Sequence, residues 1–286
     1  MTFSSIGKQR RLERLFTNGK TLVVPVDDSL IFGPKEGLLN LSETIESILS
    51  ASPNAILGFK HGIEFMTTTG VNIPFIYNVT ASTVLNDHTK KVLIASVENA
   101  LVVGADCVAA HINFSSKYEN EMLHNFATIA NECDRLGVPL LAIAYPRSER
   151  DGKDYNYDDI KKNDNSAFAE LVSHCTRVAC ELGADIIKTF YTNNELSFQS
   201  VIKAACGKPV IIAGGPKIPV EMSLNYVSGA LKAGAAGISF GRNVFNSDHI
   251  SSYLSVVKEI LFNNTTMEIA LKKYNDFTGG THGTAR

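Results

Sequence analysis

Eight short apolar segments alternate with helix-like segments along most of this 286-residue chain, and this alternation constrains the fold most strongly. The apolar segments show little alternation of polar and apolar residues, which is typical of parallel strands buried on both faces. The predicted strands are residues 22–26, 55–58, 73–76, 107–111, 138–144, 186–188, 209–212 and 237–240. Eight strand–helix units in a chain of this length predict an α/β fold with a single (β/α)8 TIM barrel, preceded by an extra N-terminal helix over residues 5–17.

The chain shows no Pro- or Ser-rich linker and no shift in composition, which favours one domain over two. A doubly wound sheet is the alternative, although it rarely contains eight regular units without a linker. We predict a barrel domain over residues 1–274 and a polar, disordered tail over 275–286. A helix is expected over residues 90–103, where apolar residues recur at helical spacing. Residues 147–164 follow the fifth strand and are interpreted either as a mobile loop over the active site or as a solvated loop.

The composition of the chain indicates which kinds of molecule it can bind. The net charge is −2, so no basic surplus is present to hold a nucleic acid or an anionic membrane surface, and small molecules are the expected ligands. No apolar run approaches the roughly 20 residues that cross a bilayer, and no secretory signal is visible. The five cysteines form no C-x-x-C pair and resemble small buried apolar residues of a reducing compartment. We therefore expect a cytoplasmic protein.

Lys188 ends the sixth predicted strand and has no acidic residue beside it in the sequence. Burial disfavours the charged form of a lysine, and a neutral amine can attack a carbonyl carbon to form a Schiff base. The alternative is a lysine whose stem is buried and whose charged end reaches solvent. Active sites of TIM barrels lie at the C-terminal ends of the strands, which is the position that Lys188 occupies.

Two glycine-containing loops follow the seventh and eighth predicted strands. The first contains Gly214, Gly215 and Lys217, and the second contains Gly241 and Arg242. Glycine lets backbone N–H groups approach an anion, an arginine pairs with phosphate oxygens, and barrels commonly hold phosphate in these two loops. A phosphate-binding site is therefore predicted, with ordinary tight turns as the alternative.

Other strand ends carry residues suited to proton transfer. Tyr145 can exchange a proton with a substrate hydroxyl, or it can be an ordinary strand-end tyrosine. Asp27 can assist imine formation, or it can cap the loop that follows the first strand. Asp28 is expected to point away from Asp27 if the strand continues. His111 suits a structural hydrogen bond as well as it suits catalysis. The scattered histidines show no metal-binding motif, so no metal and no cofactor are expected.

These motifs together resemble a known family. The resemblance lies in residues 11–16 (RLERLF), 24–27 (VPVD), 33–34 (GP), 145–147 (YPR), 183–189 (GADIIKT), 213–217 (AGGPK) and 241–243 (GRN). Their order and their positions at strand ends are similar to those of the archaeal-type class I aldolases of the DeoC/FbaB group, from about residue 7 to residue 274. This group includes fructose-bisphosphate aldolases, 2-amino-3,7-dideoxy-D-threo-hept-6-ulosonate synthases and a thiolase that acts on a phosphorylated diketone.

The resemblance implies a role for each matching residue. Lys188 would form the Schiff base, Tyr145 would be the acid and base at the carbon–carbon bond, and Asp27 would assist the imine chemistry. The substrate phosphate would lie against Gly214, Gly215, Gly241 and Arg242. A homo-oligomer, as large as a pentamer or a decamer, is also implied.

Two departures from the family pattern concern the end of the substrate that carries no phosphate. Many members have Asp-His-Gly after the first strand, where this chain has Asp27, Asp28 and Ser29, and many have a histidine where this chain has Tyr77 and Asn78. A phosphorylated ketose or keto-sugar is the expected substrate, and biosynthetic condensation is favoured slightly over fructose-bisphosphate cleavage. The alternatives are thiolase chemistry and a non-catalytic barrel that binds a phosphorylated metabolite.

Overall fold

A computed structural model describes residues 2–279, and these form a closed barrel of eight parallel strands. The strands are β1 (Thr21–Pro25), β2 (Ala55–Gly58), β3 (Phe75–Asn78), β4 (Cys107–Phe114), β5 (Leu140–Pro146), β6 (Ile186–Phe190), β7 (Val210–Ala213) and β8 (Gly237–Ser239). Each strand pairs with the next one along the chain, and β8 closes the ring on β1 through Leu22 and Ile238. The predicted (β/α)8 barrel is confirmed.

Helices surround this barrel. They are α1 (Phe3–Leu15), α2 (Asp28–Phe32), α3 (Leu41–Ser50), α4 (Lys60–Thr69), α5 (Val97–Val102), α6 (Glu119–Leu136), α7 (Asp158–Asn163), α8 (Asn165–Glu181), α9 (Glu195–Ala204), α10 (Val220–Lys232), α11 (Arg242–Phe245), α12 (Ile250–Asn263) and α13 (Met267–Thr278). None of the helices within residues 2–279 is both long and apolar enough to span a lipid bilayer. Several begin at a side chain that accepts a backbone N–H, as Asn194 does for α9.

The N-terminal helix α1 closes the lower end of the barrel. Leu15, at its end, is only 1% exposed and packs among strand residues that point into the barrel, such as Val23 and Ile186. Lys8 binds Asp185 at 2.9 Å, which ties the helix to the start of β6. The bottom of the barrel is thereby sealed, and the open end is the one where the strands finish.

The prediction of a helix over residues 90–103 is wrong in its first half. Val92–Leu93 pairs instead with Thr80–Ala81 in a small antiparallel sheet, and α5 begins only at Val97. Ser96 and Asn99 form a capping box there, and this box sets the start of the helix. The apolar residues at 92–94 produced helical spacing in the sequence but remain exposed in the fold.

The predicted tail boundary is also wrong, because α13 continues through Thr278 and residues 275–278 are helical. Thr266 caps this helix at its start, and Gly279 follows its last turn in the left-handed conformation. The break between α12 and α13 falls at Asn264, which has a φ of 53°. The rest of the predicted tail, residues 280–286, lies outside the described residues.

Candidate active site

A cavity of about 90 Å³ opens at the C-terminal ends of the barrel strands. Most of the residues that line it come from strand ends and the loops that follow them: Pro25, Asp27, Asp28, Ile31, Phe32, His88, Lys91, His111, Tyr145, Arg147, Lys188, Phe190, Ala213, Gly214, Gly215, Ser239, Gly241, Arg242 and Phe245. Lys188, Tyr145, Asp27, Gly214, Gly215, Gly241 and Arg242 are among them, so the structure brings together these residues singled out in the sequence. Lys217 is not.

Lys188 lies in the middle of β6, paired with Ile143 of β5 and Ile211 of β7. It is 6% exposed, and its side chain reaches the cavity. The strand hydrogen bonds fix its backbone, so the amine is presented from a rigid support rather than from a loop. A buried lysine that faces a cavity can react with a bound carbonyl compound.

Tyr145 sits beside Lys188 at the end of the neighbouring strand β5. Its ring stacks on Phe190 with 4.4 Å between ring centroids and 7° between ring planes, and this stacking fixes its orientation. Burial raises the pKa of Tyr145, although the nearby charges of Lys188 and Arg147 act in the opposite direction. The phenol therefore keeps its proton at neutral pH and can donate it within the cavity.

Asp27 and Asp28 both line the cavity, so the expectation that Asp28 points away is wrong. The chain leaves the extended conformation at Asp27, whose φ and ψ are −70° and −15°, and Asp28 begins helix α2. Asp27 accepts a hydrogen bond from Asn78 at 3.1 Å, while Asp28 lies 3.4 Å from Arg242. Burial, and then the charge of Asp27, raise the pKa of Asp28.

The two glycine loops form one wall of the cavity. Asn243 joins them, because its amide donates to the carbonyl of Gly214 at 2.9 Å and accepts from the N–H of Ile218 at 3.0 Å. The packing requires glycine at position 241, since an added Cβ would lie 2.9 Å from the carbonyl oxygen of Pro25. The hydroxyl of Ser239 is buried in the same wall and has no hydrogen-bond partner among the described residues, which makes it a donor available to a ligand.

Three side chains at loop starts do not contribute to the cavity. The exposed Lys217 donates to the carbonyl oxygen of Asn246 and so points away from the glycine wall. Lys60 and His61, at the end of the second strand, are exposed and lie near Glu64 on helix α4.

Sequence reasoning missed the hydroxyl of Ser239 and two titratable residues of the cavity, His88 and Lys91. His88 and Lys91 come from the segment after β3 that was expected to be part loop and part helix. Burial, and then the charge of Lys91, lower the pKa of His88 to about 3. His111 contacts Thr80 at 3.1 Å, and burial lowers its pKa well below the usual value, so both imidazoles are neutral at pH 7. The one sequence feature that marked Lys91 was its position directly before the apolar residues Val92 and Leu93.

Residues 21–247 match the sequence profile of the DeoC/LacD family aldolases. The chain belongs to this family. It is 35% identical to 2-amino-3,7-dideoxy-D-threo-hept-6-ulosonate synthase 1 of Archaeoglobus fulgidus over 267 residues, which cover 93% of this chain and 95% of that protein. It is 29% identical to 3-hydroxy-5-phosphonooxypentane-2,4-dione thiolase of Escherichia coli over 280 residues, which cover 94% of this chain and 87% of that protein.

A solved structure of an archaeal fructose-1,6-bisphosphate aldolase is also similar. It was determined with its catalytic lysine bound covalently to the carbinolamine intermediate of its substrate. The TM-score is 0.76 at 27% sequence identity, and the match covers 89% of this chain and 99% of that one. Membership of the aldolase family, which the motifs indicated, is thus confirmed, and with it the prediction of a class I aldolase.

Within residues 2–279, no three His, Cys, Asp or Glu side chains cluster in a way that could hold a metal ion. The side chains that line the cavity carry amines, carboxyls, a phenol, imidazoles and guanidinium groups. This set can form and protonate an imine and can bind an anion.

Proposed function

We propose that this aldolase makes or breaks a carbon–carbon bond in a phosphorylated ketose or keto-sugar through a Schiff base on Lys188. The observation that carries the proposal is the buried amine of Lys188 on strand β6, which reaches the same cavity as the phenol of Tyr145 on the neighbouring strand β5. The family provides the class of reaction.

In this proposal the amine of Lys188 attacks the ketone carbon of the donor and forms a carbinolamine, which loses water to give an iminium ion. The iminium ion withdraws the electron pair of the adjacent carbon–carbon or carbon–hydrogen bond, so an enamine forms with a lower barrier than from the free ketone. Tyr145 transfers the proton of the substrate hydroxyl as the bond breaks or forms. Asp27, held by Asn78, assists the loss of water.

The phosphate of the donor is proposed to lie against the glycine wall, where Gly214, Gly215 and Gly241 permit close approach of the backbone. Arg242 supplies a positive charge at this wall, and the unpaired hydroxyl of Ser239 supplies a further donor. Lys217 takes no part in this phosphate site, because its amine donates to the carbonyl oxygen of Asn246.

Biosynthetic condensation is favoured over fructose-bisphosphate cleavage as the direction of the reaction. Two observations support it: the departures from the family pattern at Asp28, which lines the cavity, and at Asn78, which donates to Asp27, and the higher identity to the Archaeoglobus fulgidus synthase than to the fructose-bisphosphate aldolase. The assay below therefore varies the acceptor and detects the product.

The assay combines dihydroxyacetone phosphate with a panel of aldehydes and detects new carbon–carbon products by mass spectrometry. We expect at least one product, and we expect Lys188→Met to reduce its rate by at least about 10⁴-fold, because imine chemistry cannot proceed without the amine. Lys203→Met, which changes an exposed lysine on α9, is the matched control and should keep the wild-type rate. Product formation by Lys188→Met at a rate near that of wild type would refute the proposal.

We also propose that the protein acts in the cytoplasm as a homo-oligomer. Exposed apolar side chains next to the cavity support an interface between copies: Val84, Leu85, Val92, Leu93 and Ile94. The mass of the native protein in solution tests this proposal.

A further inference from the structure

Two of the five cysteines differ from the other three in their exposure. Cys107, Cys133 and Cys175 are at most 1% exposed, as expected of cysteines that act as small apolar residues. Cys180 is only half-buried and Cys206 is exposed, so the expectation of buried cysteines does not hold for these two. A thiol that reaches solvent can react, whereas a buried structural thiol is inert.

The thiols of Cys180 and Cys206 lie within hydrogen-bonding reach of each other. They are carried by helices α8 and α9, which are joined by a hydrogen bond of 3.2 Å between the hydroxyls of Ser173 and Ser200. Both helices connect parallel strands of the barrel, so they run in the same direction. Cys180 follows Ser173 by seven residues, about two helical turns, and Cys206 follows Ser200 by six. The helix packing therefore brings both cysteines to the same end of the helix pair.

The backbone at Cys206 is unusual for a residue with a side chain. Its φ is 51°, in the left-handed region, and it lies directly after Ala205, the C-cap of α9. Glycine is the residue usually found at this position, because a Cβ atom costs free energy in the left-handed conformation. The end of the helix therefore does not require a cysteine, and the side chain itself is the feature to be explained.

We propose that Cys180 and Cys206 are a reversible thiol–disulfide pair, which a hydroperoxide oxidises and a thiol reductant restores. Disulfides of cytosolic proteins are usually transient and redox-sensing, so a reversible pair agrees with the proposed cytoplasmic location. The pair lies near the start of β6, at the end of the barrel opposite the cavity. This modification site is therefore separate from the proposed chemistry at Lys188.

The exposed thiol of Cys206 is the one that meets the peroxide. Its thiolate attacks one peroxide oxygen, the O–O bond breaks, and a sulfenic acid forms on Cys206 while an alcohol or water leaves. The sulfur of Cys180 then attacks the sulfur of Cys206, so that an S–S bond forms and the S–O bond breaks. The hydroxyl leaves as water with the proton of Cys180. The two thiols lose two electrons in total, and the peroxide takes them up.

The surroundings of Cys180 suit this second step. Burial, and then the charge and the hydrogen bond of Cys206, raise the pKa of Cys180, whereas the charge of Lys208 acts in the opposite direction. Cys180 therefore keeps its proton at neutral pH and does not compete for the peroxide. It reacts once the sulfenic acid has formed beside it.

The disulfide would tie the end of α8 to the end of α9. The loop that it closes, residues 181–205, contains all of β6. Because a disulfide restricts the unfolded chain, we expect oxidation to raise the melting temperature by roughly 5 °C or more. Differential scanning calorimetry of the reduced and oxidised protein measures this shift.

The site is tested on the whole reduced protein with hydrogen peroxide, followed by N-ethylmaleimide under denaturing conditions and peptide mass spectrometry without reduction. We expect a cross-linked peptide that joins Cys180 to Cys206, three alkylated cysteines instead of five, and full reversal by dithiothreitol. In Cys180→Ser the sulfenic acid on Cys206 should persist and react with dimedone, and in Cys206→Ser the thiol of Cys180 should stay free. Cys175→Ala, on the same helix α8, is the matched control and should keep the cross-link.

The inference is overturned if peroxide leaves both thiols free, if Cys206 is oxidised without a bond to Cys180, or if Cys206 pairs between two chains instead. A cross-linked protein that melts no higher than the reduced one would overturn the stabilising effect. The measurement on wild type decides even if a variant does not fold. Since Lys188 takes no part in it, failure of the Schiff-base chemistry is observed separately.

Discussion

The hydroxyl of Tyr145 is the group proposed to carry the proton beside Lys188. Its ring is held by stacking on Phe190, and phenylalanine at position 145 would keep that stacking while it removes only the hydroxyl. Tyr145→Phe should therefore retain the fold and still form the Schiff base, and should lose about 10²–10⁴-fold in kcat, the usual contribution of general acid–base catalysis. Steady-state kinetics and borohydride trapping measure the two effects.

Tyr274→Phe is the control, since Tyr274 packs against the core on helix α13, outside the cavity. A kcat for Tyr145→Phe within about threefold of wild type would show that another group moves the proton.

At the level of residues, the sequence identified those parts of the candidate site that lie on the strands or directly after them. Tyr145 and Asp27 lie at strand ends, which a parallel barrel brings to one face, whereas Lys188 was expected to end its strand and lies in the middle of β6. Lys91 could not be found in this way, since it lies 13 residues beyond Asn78, the last residue of β3. Lys217 was singled out by its position in a loop, and its amine donates to the carbonyl oxygen of Asn246, because a position in a loop does not determine the direction of a long, flexible side chain.

The two glycine loops act as one element because Asn243 links them. Replacement by alanine would leave the carbonyl of Gly214 and the N–H of Ile218 without these partners, at a cost of about 1–3 kcal/mol for each buried group. Asn243→Ala should raise the KM for dihydroxyacetone phosphate about tenfold or more and change kcat less, because the loops bind and position the phosphate.

The KM for dihydroxyacetone, which lacks the phosphate, distinguishes phosphate positioning from a general loss of structure. It should hardly change in Asn243→Ala. Asn225→Ala, at an exposed position on α10, is the matched control. Equal loss for both ketones would assign Asn243 a structural role and remove it from phosphate positioning.

Among the secondary-structure elements, periodicity identified the strands and most of the helices, and it failed after β3. Residues 92–94 are apolar, and the sequence cannot distinguish a helix face packed on the barrel from an exposed strand beside the cavity. The capping box at Ser96 and Asn99 marks the true helix start, and its side chains were visible in the sequence.

For the whole molecule, the fold was predictable because the same unit occurs eight times. An error in one unit, such as the shortened α5, leaves the count of strands and the order of the ring unchanged. The existence of α1 was foreseeable from its apolar residues, but its place under the barrel, its contact through Leu15 and its ion pair between Lys8 and Asp185 required the three-dimensional structure.

The most direct measurement is to incubate the whole protein with dihydroxyacetone phosphate and sodium borohydride, weigh it intact, and map any adduct by peptide mass spectrometry. Borohydride reduces an iminium ion to a stable amine, so we expect one adduct per chain, located on Lys188 and absent from Lys188→Met. An adduct on Lys91 instead, or no adduct with either dihydroxyacetone phosphate or fructose bisphosphate, would refute Schiff-base chemistry at Lys188.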